Sequence, residues 1–280
     1  MTRYYATFPC APVIETWTKV EVPGGADAVS IADLNAFDLR PPAGALRWVT
    51  GLQVSAEDGG AFTLHRRYLE PGEMVQFGAQ GRSSETFVPW LGVEVPDGRF
   101  FGGIMWSGAW TALVSRGDEQ VRMQMGLSGM STDVQEGETL EMPHGFFGAV
   151  AGGDADMSAA MRDFIVRGVR AGRPFEPSVV YNTWFVYGTG IDDSIAREEI
   201  DRNAALGTEV FVLDAGWYRG ATSEFDLTSG LGSWEVDEDR FPEGLASLAE
   251  YARSQGMRFG LWVEPGRTSL DLVGQPGLAR

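Results

Sequence analysis

Two folding periods in one chain predict a multidomain protein, an antiparallel β-sandwich followed by a parallel sheet built from βα units. Three observations carry that expectation. Residues 13–150 alternate apolar and polar side chains at period two. Turn residues punctuate that stretch, and no helix-length apolar stripe interrupts it. From Pro177 onward the pattern changes to near-continuous apolar runs separated by helical stripes, the signature of strands buried on both faces.

In the first half, Val121, Met123 and Met125 alternate with Arg122 and Gln124, and Phe62 and Leu64 alternate with Thr63 and His65, so each set predicts a half-buried strand. Turns are expected at Pro23-Gly24-Gly25, Asp58-Gly59-Gly60, Pro71-Gly72, Pro96-Asp97-Gly98 and Glu136-Gly137. Gly102-Gly103 reads as a bulge or turn. Met157, Met161, Phe164 and Ile165 fall at helical spacing over residues 157–169, and Gly172-Arg173-Pro174-Phe175-Glu176-Pro177 follows as a stiff connector. The expected domains are residues 1–172 and 178–280.

In the second half, residues 179–185 predict a strand. Asp192-Asp193-Ser194 then caps a helix with Ile191, Ile195, Ile200 and Ala204 on one side, which Gly207 ends in a left-handed conformation. A second strand is expected over residues 209–213 and a third over 258–263. Between them Leu245, Leu248, Ala249 and Ala252 form the apolar stripe of a helix closed by Gly256. Right-handed crossovers allow either an open doubly wound sheet or the start of a barrel.

Composition narrows the function. The 280 residues carry a net charge of −17, with 44% apolar and 11% aromatic side chains, so a core forms, and phosphate backbones and anionic lipid surfaces are repelled. No local basic cluster offsets that charge, and no nucleic-acid or membrane partner is expected. No apolar run reaches membrane-spanning length. The opening Met1-Thr2-Arg3-Tyr4-Tyr5 lacks the apolar region of a signal peptide, which points to a cytoplasmic protein if Met1 is the true start. With one cysteine, Cys10, and two histidines, His65 and His144, neither a disulfide framework nor a His/Cys metal centre is expected. Both histidines read as lacking partners.

In parallel βα folds the chemistry gathers at the carboxyl ends of the strands. There stand Trp184, then Asp214 with Trp217, then Trp262 and Glu264. Indoles that stack on sugar C–H faces beside carboxylates that accept from hydroxyls describe a carbohydrate site. Each residue alone also fits rim packing or a structural acceptor. Asp214 and Glu264 could equally be a glycosidase pair, whose separation would decide the stereochemistry. Gly188-Thr189-Gly190 before a helix has the look of a dinucleotide loop, but Asp193 occupies the third glycine position, so the two glycines read as turn residues and Asp192 and Asp193 as a helix cap.

The runs Tyr181-Asn182-Thr183-Trp184, Phe211-Val212-Leu213-Asp214-Ala215-Gly216-Trp217, Gly232-Ser233-Trp234-Glu235-Val236-Asp237, Phe241-Pro242-Glu243-Gly244-Leu245 and residues 256–265 resemble, in order, glycoside hydrolase family 36, the α-galactosidases or melibiases. Pro12-Val13-Ile14-Glu15-Thr16-Trp17, Trp106-Ser107-Gly108 and Gly137-Glu138-Thr139-Leu140 agree with that family's N-terminal domain. The resemblance implies a β-supersandwich and then the first part of a (β/α)8 TIM barrel, truncated after about three strands. A closed barrel takes about 250 residues, more than residues 178–280 supply.

The implied activity is retaining hydrolysis of terminal α-galactosides of the raffinose or melibiose kind, without a cofactor. The family's nucleophile and acid/base belong to later strands, expected beyond Arg280, so no catalytic residue is assigned here and the chain is expected to be an inactive N-terminal fragment. Trp184, Asp214 and Trp262 are the implied substrate-binding residues, and Glu264 becomes a structural acceptor. The family commonly has a second aspartate where Ala215 stands. Two further readings remain: a carbohydrate-binding remnant without catalysis, and a related galactosyl transfer or N-acetylated-sugar activity in the full-length protein. Homo-oligomerisation of that protein is left open.

Overall fold

The computed structural model describes residues 1–52, 60–174, 176–222, 225–226 and 228–273. The expected turn at Asp58-Gly59-Gly60 lies largely outside them, as does Phe175 of the connector. Arg280, beyond which the catalytic pair is expected, also lies outside the described residues, and the last of these is Val273. The chain divides into two compact units, residues 1–175 and 176–280.

The first unit contains β1 (Thr2–Phe8), β2 (Ala11–Glu21), β3 (Val29–Ala32), β4 (Asn35–Leu39), β5 (Ala45–Thr50), β6 (Leu64–Arg67), β7 (Met74–Ala79) and β8 (Phe87–Val95). It continues with β9 (Gly98–Met105), β10 (Trp110–Arg116), β11 (Val121–Leu127), β12 (Ser131–Val134), β13 (Thr139–Glu141), β14 (His144–Ala151) and helix α1 (Asp154–Asp163). One sheet has the order β1-β2-β14-β9-β8-β5-β6 with β13 also on β2, a second has β4-β11-β10-β7, and β12 pairs with β3. Every strand pairing among the described residues of the unit is antiparallel.

Period two explains the core. Val121, Met123 and Met125 of β11 are fully buried with Phe37, Leu46, Val93, Ile104 and Trp110, while Arg122 turns outward to Asp38. The opposite face of the large sheet buries Val13, Phe101 and Phe146 under Met157, Ala160 and Phe164. An ionic network ties α1 to that sheet: Asp154 accepts from Arg47 (2.6 Å) and Arg99 (2.9 Å), and Arg47 and Arg66 reach Glu94 at 3.3 and 3.0 Å. The hydrogen bond from Arg99, then that from Arg47, holds the Asp154 carboxyl below its ordinary range; the bond from Arg66 does the same for Glu94.

Four expectations for this unit are corrected. Phe62 sits in a turn at φ +54° and Leu64 faces solvent, so the alternation there runs the other way and His65 stacks on Trp48 at 5.2 Å. His144 also has partners, stacking on Trp17 at 4.5 Å with Nδ1 2.5 Å from Glu15. Gly102 and Gly103 lie in the unbroken ladder of β9, where a Cβ would approach Phe37 to 2.9 Å and Phe146 to 2.6 Å, so close approach rather than a bulge requires glycine. The helical stretch 157–169 begins earlier, at Asp154, and widens into a π-helix over Phe164–Val169, which turns Ile165 outward.

The second unit is a parallel sheet, β15 (Val180–Asn182), β16 (Val210–Leu213) and β17 (Arg258–Leu261), with strands adjacent in chain order. The expected strand over 179–185 is shorter: after Asn182 the chain turns into a helical turn, α2 (Trp184–Tyr187). Helix α3 (Asp193–Ala205) is capped as its sequence predicts, Asp192 accepting from the Ile195 N–H at 2.8 Å and Gly207 standing at φ +82°. Helix α4 (Gly244–Ser254) buries Leu248, Ala249 and Ala252, and Gly256 follows at φ +84°. Ile191, Ile200, Phe211, Leu213, Leu248 and Met257 share one apolar cluster.

Behind the sheet, the buried Glu199 of α3 accepts from the Tyr181 hydroxyl at 2.7 Å and the Tyr187 hydroxyl at 2.9 Å, and pairs with Arg202. Burial raises the Glu199 carboxyl, but the hydrogen bonds from Tyr181, Tyr187 and Arg202 outweigh it and hold the group below its ordinary value. Burial and the same carboxylate push the Tyr181 phenol up. Tyr181 is on β15 and Tyr187 ends α2, so one carboxylate anchors the segment that carries Trp184. Among the described residues no helix is long and apolar enough to cross a membrane.

Candidate carbohydrate site

Asn182, Asp214 and Trp262 stand at the carboxyl ends of the three parallel strands. Asn182 is a bridge: its Oδ1 accepts from the Trp184 N–H at 2.8 Å, and its Nδ2 donates to Asp214 Oδ2 at 2.6 Å. The other oxygen of Asp214 accepts from the Ala215 N–H at 2.8 Å, and the Asp214 N–H donates to the buried Thr183 hydroxyl at 3.0 Å. Asp214 is 7% exposed. A carboxylate has about four acceptor positions, so two bonds from neutral donors orient Asp214 and leave acceptor capacity for hydroxyls.

Trp262 is set by the sheet, its N–H donating to the Leu213 carbonyl at 2.9 Å. Its own carbonyl accepts from the Trp217 indole N–H at 2.9 Å. Trp217 therefore departs from its expected place on the rim: it is 2% exposed, a core anchor stacked on Trp234. Trp234 in turn meets Trp262 edge to face at 6.1 Å, and Trp184 meets Phe225 in the same way at 5.5 Å. Trp184 and Trp262 are both half-buried.

Ala215 is fully buried in the apolar cluster of this unit, so position 215 points its side chain into the core. Gly216 stands at φ +110°, and a Cβ there would come within 2.5 Å of the Thr189 carbonyl oxygen, so only glycine lets the second strand turn beneath the first loop. Glu264 pairs with Arg267 through both oxygens at 2.5 Å, a bidentate clamp. Asp192 caps α3 and Asp193 pairs with Arg197 at 2.7 Å, while Gly188, at φ +52°, ends α2. Among the described residues no group of three or more His, Cys, Asp or Glu side chains is placed to hold a metal ion.

Sequence reasoning left three residues of this region without a role. Asn182 had a usable signal, a polar side chain at a strand end. Arg240 had none, since it lies far along the chain, yet its guanidinium donates to the carbonyls of Thr189 (2.5 Å), Gly216 (2.9 Å) and Ala221 (2.9 Å) and so ties the first two strand-end loops together. Tyr218 has a buried hydroxyl with no hydrogen-bond partner among the described residues. Burial first, then the Asp214, Asp226 and Glu264 charges, pushes its phenol up to about 12.

Residues 141–272 match the melibiase family model. The chain is 29% identical over 226 residues to an α-galactosidase of Escherichia coli, a match covering 75% of this chain and 31% of that protein. The crystal structure of the α-galactosidase from Lactobacillus brevis superposes with a TM-score of 0.77 at 24% identity, over 95% of this chain and 36% of that one. A family 36 α-galactosidase variant from Geobacillus stearothermophilus, solved in complex with raffinose, superposes with a TM-score of 0.75 at 21% identity, over 97% and 39%. These likenesses establish the fold over the superposed region. The chain spans less than two fifths of the length of each of these relatives.

Proposed function

We infer, from this chain's place among the melibiases, the α-galactosidases of glycoside hydrolase family 36, that Trp184, Asp214 and Trp262 form part of a subsite for a terminal α-galactosyl ring. The carrying observation is Asp214, a nearly buried carboxylate at the end of the central strand, oriented by the neutral donors Asn182 and Ala215 N–H, with a half-buried indole beginning the segment after each neighbouring strand. Such a carboxylate accepts from sugar hydroxyls while the indoles cover the C–H faces.

The whole protein, on this reading, hydrolyses terminal α-galactosides of the raffinose or melibiose type with retention, using a nucleophile and an acid/base from barrel strands that follow Arg280. Unit 1 is its β-supersandwich and unit 2 the opening of its (β/α)8 barrel. Three parallel strands in chain order, with exposed Val179 and Val180 beside one edge and Leu261 and Val263 at the other, support that reading, because a closed barrel pairs both edges.

This chain itself binds rather than hydrolyses. Asp214 is oriented by two neutral donors and Glu264 is clamped by Arg267, which supports a binding role for the first and a structural role for the second. In a chain labelled at its tryptophan indoles, galactose shifts the Trp184 and Trp262 signals, Asp214→Asn removes the shift, and an aryl α-galactoside is not turned over above an Asp214→Ala control. Unmoved Trp184 and Trp262 signals defeat the subsite, and turnover returns Asp214 and Glu264 to candidacy as a catalytic pair.

A further inference from the structure

We propose that the N-terminal unit carries an oligosaccharide-binding cleft of its own, in which Trp106 supplies an aromatic surface and Glu141 with His144 hydrogen-bonds to sugar hydroxyls. The cleft has a volume of about 530 Å³ and is lined by Met105, Trp106, Leu127, Leu140, Glu141 and His144 among others. Trp106 is 41% exposed. Its indole lies against Gly108, where a Cβ would stand 2.8 Å from the indole nitrogen, so glycine at 108 is what lets the ring settle on its own loop.

The polar side of the cleft is pre-set. Tyr4 and Trp17, directly opposite on β1 and β2, stack at 5.1 Å and 9°, and Trp17 stacks on His144 at 4.5 Å and 6°. With Nδ1 also held by Glu15 at 2.5 Å, the imidazole has one face and one nitrogen fixed. Its remaining nitrogen, Nε2, faces Glu141 across 3.4 Å, a long contact, and the Glu141 side chain is 54% exposed. A hydroxyl entering there meets an imidazole nitrogen and a carboxylate acceptor already in place, which lowers the ordering cost of binding.

The lining selects the ligand class. Two carboxylates beside the cleft, on a chain of net charge −17, disfavour an anion. A purely apolar ligand would strip water from Glu141 and His144 without replacing its hydrogen bonds. A neutral oligosaccharide of two or three rings offers both an apolar C–H face to Trp106 and hydroxyls to the polar pair, and the volume lies within the range of small-ligand sites, roughly 300–1,000 Å³. The proposal uses none of Trp184, Asp214 or Trp262 and stands whether or not the galactosyl subsite does.

Raffinose titrated into the indole-labelled chain tests it. The Trp106 signal moves saturably, Trp106→Ala and Glu141→Gln each weaken binding at this cleft by about tenfold, and Trp184→Ala leaves the Trp106 shift intact. The proposal is overturned by a Trp106 signal that raffinose does not move, by an equal shift with glycerol at matched hydroxyl concentration, or by a shift that Trp184→Ala removes. Should Trp106→Ala fail to fold, the wild-type titration and Glu141→Gln decide alone.

Discussion

Asp154 and Asp214 are both aspartates at the end of a secondary-structure element, and they are satisfied in opposite ways. Asp154 of the first unit faces two guanidiniums, Arg47 and Arg99, and neutralisation makes it a fastening between helix and sheet. Among the described residues, Asp214 of the second unit accepts from neutral donors, the Asn182 amide and the Ala215 N–H, so its charge is oriented without being cancelled. Cationic partners consume a carboxylate for structure; neutral ones prepare it to accept from a ligand. Glu199 is the instructive intermediate, since two tyrosine hydroxyls and Arg202 surround it completely and it serves the fold alone.

The strongest challenge to that contrast is Ala215→Asp, which places a carboxylate in a fully buried apolar cluster, with the nearby Arg240 guanidinium already engaged by the Thr189, Gly216 and Ala221 carbonyls. An uncompensated buried charge costs about 3–5 kcal/mol, so we expect the second unit to lose its cooperative urea transition, followed by amide exchange at Phe211 and Leu213. Unchanged exchange would mean that the position 215 side chain reaches the rim after all.

Next in size is Glu199→Leu, which strands two tyrosine hydroxyls. Hydrogen bonds to a charged group are worth roughly 1.5–3 kcal/mol each and less where, as here, they are only part-buried, so the second unit should be destabilised by about 2–4 kcal/mol, visible as earlier unfolding of α2 and β15 by hydrogen exchange while the first unit's exchange is unaltered. The same group sets a pH dependence. Its folded carboxyl lies below the unfolded one, so its stabilisation is complete above about pH 5 and is lost as pH falls through the folded value. Glu199→Gln should flatten that acid limb; an unaltered limb would assign it to another carboxylate.

Asp214→Asn should split the two roles. Losing a charge-assisted acceptor weakens galactose binding about ten- to a hundredfold, yet because the replaced charge has no cationic partner among the described residues, thermal unfolding should barely change. A large stability loss with binding intact would show that Asp214 is structural. The smallest effect belongs to Asp154→Asn, because the Asp154 side chain is itself half-exposed, although Arg47 and Arg99 are mostly covered. We expect a slight lowering of the first unit's melting temperature that fades in high salt, where exposed ion pairs are screened. A salt-independent loss would place the pair in the core instead.

The legible parts of the molecule were those governed by near neighbours. Asp192, Gly207 and Gly256 mark helix ends because capping and left-handed backbone are decided within a few residues. Met123 and Met125 fall inward because strand geometry alternates regardless of what lies opposite. The same logic failed at Phe62 and Leu64, where a turn precedes the strand and Trp48 on the neighbouring strand draws His65 inward. It failed again at Trp184, since residues that could extend β15 instead follow the Asn182 side chain into a helical turn.

By itself the amino-acid sequence determined the two folding periods, the helix caps, the alternation of strands and helices in the second unit and the presence of Asp214 and two indoles after strand ends, all consequences of local spacing and residue chemistry. Only the tertiary structure decided which donors face Asp214, that Ala215 and Trp217 turn into the core, that Glu264 belongs to Arg267 and that His144 stacks on Trp17. Those outcomes depend on side chains from separate strands and loops meeting in space, a relation that spacing along one segment does not contain.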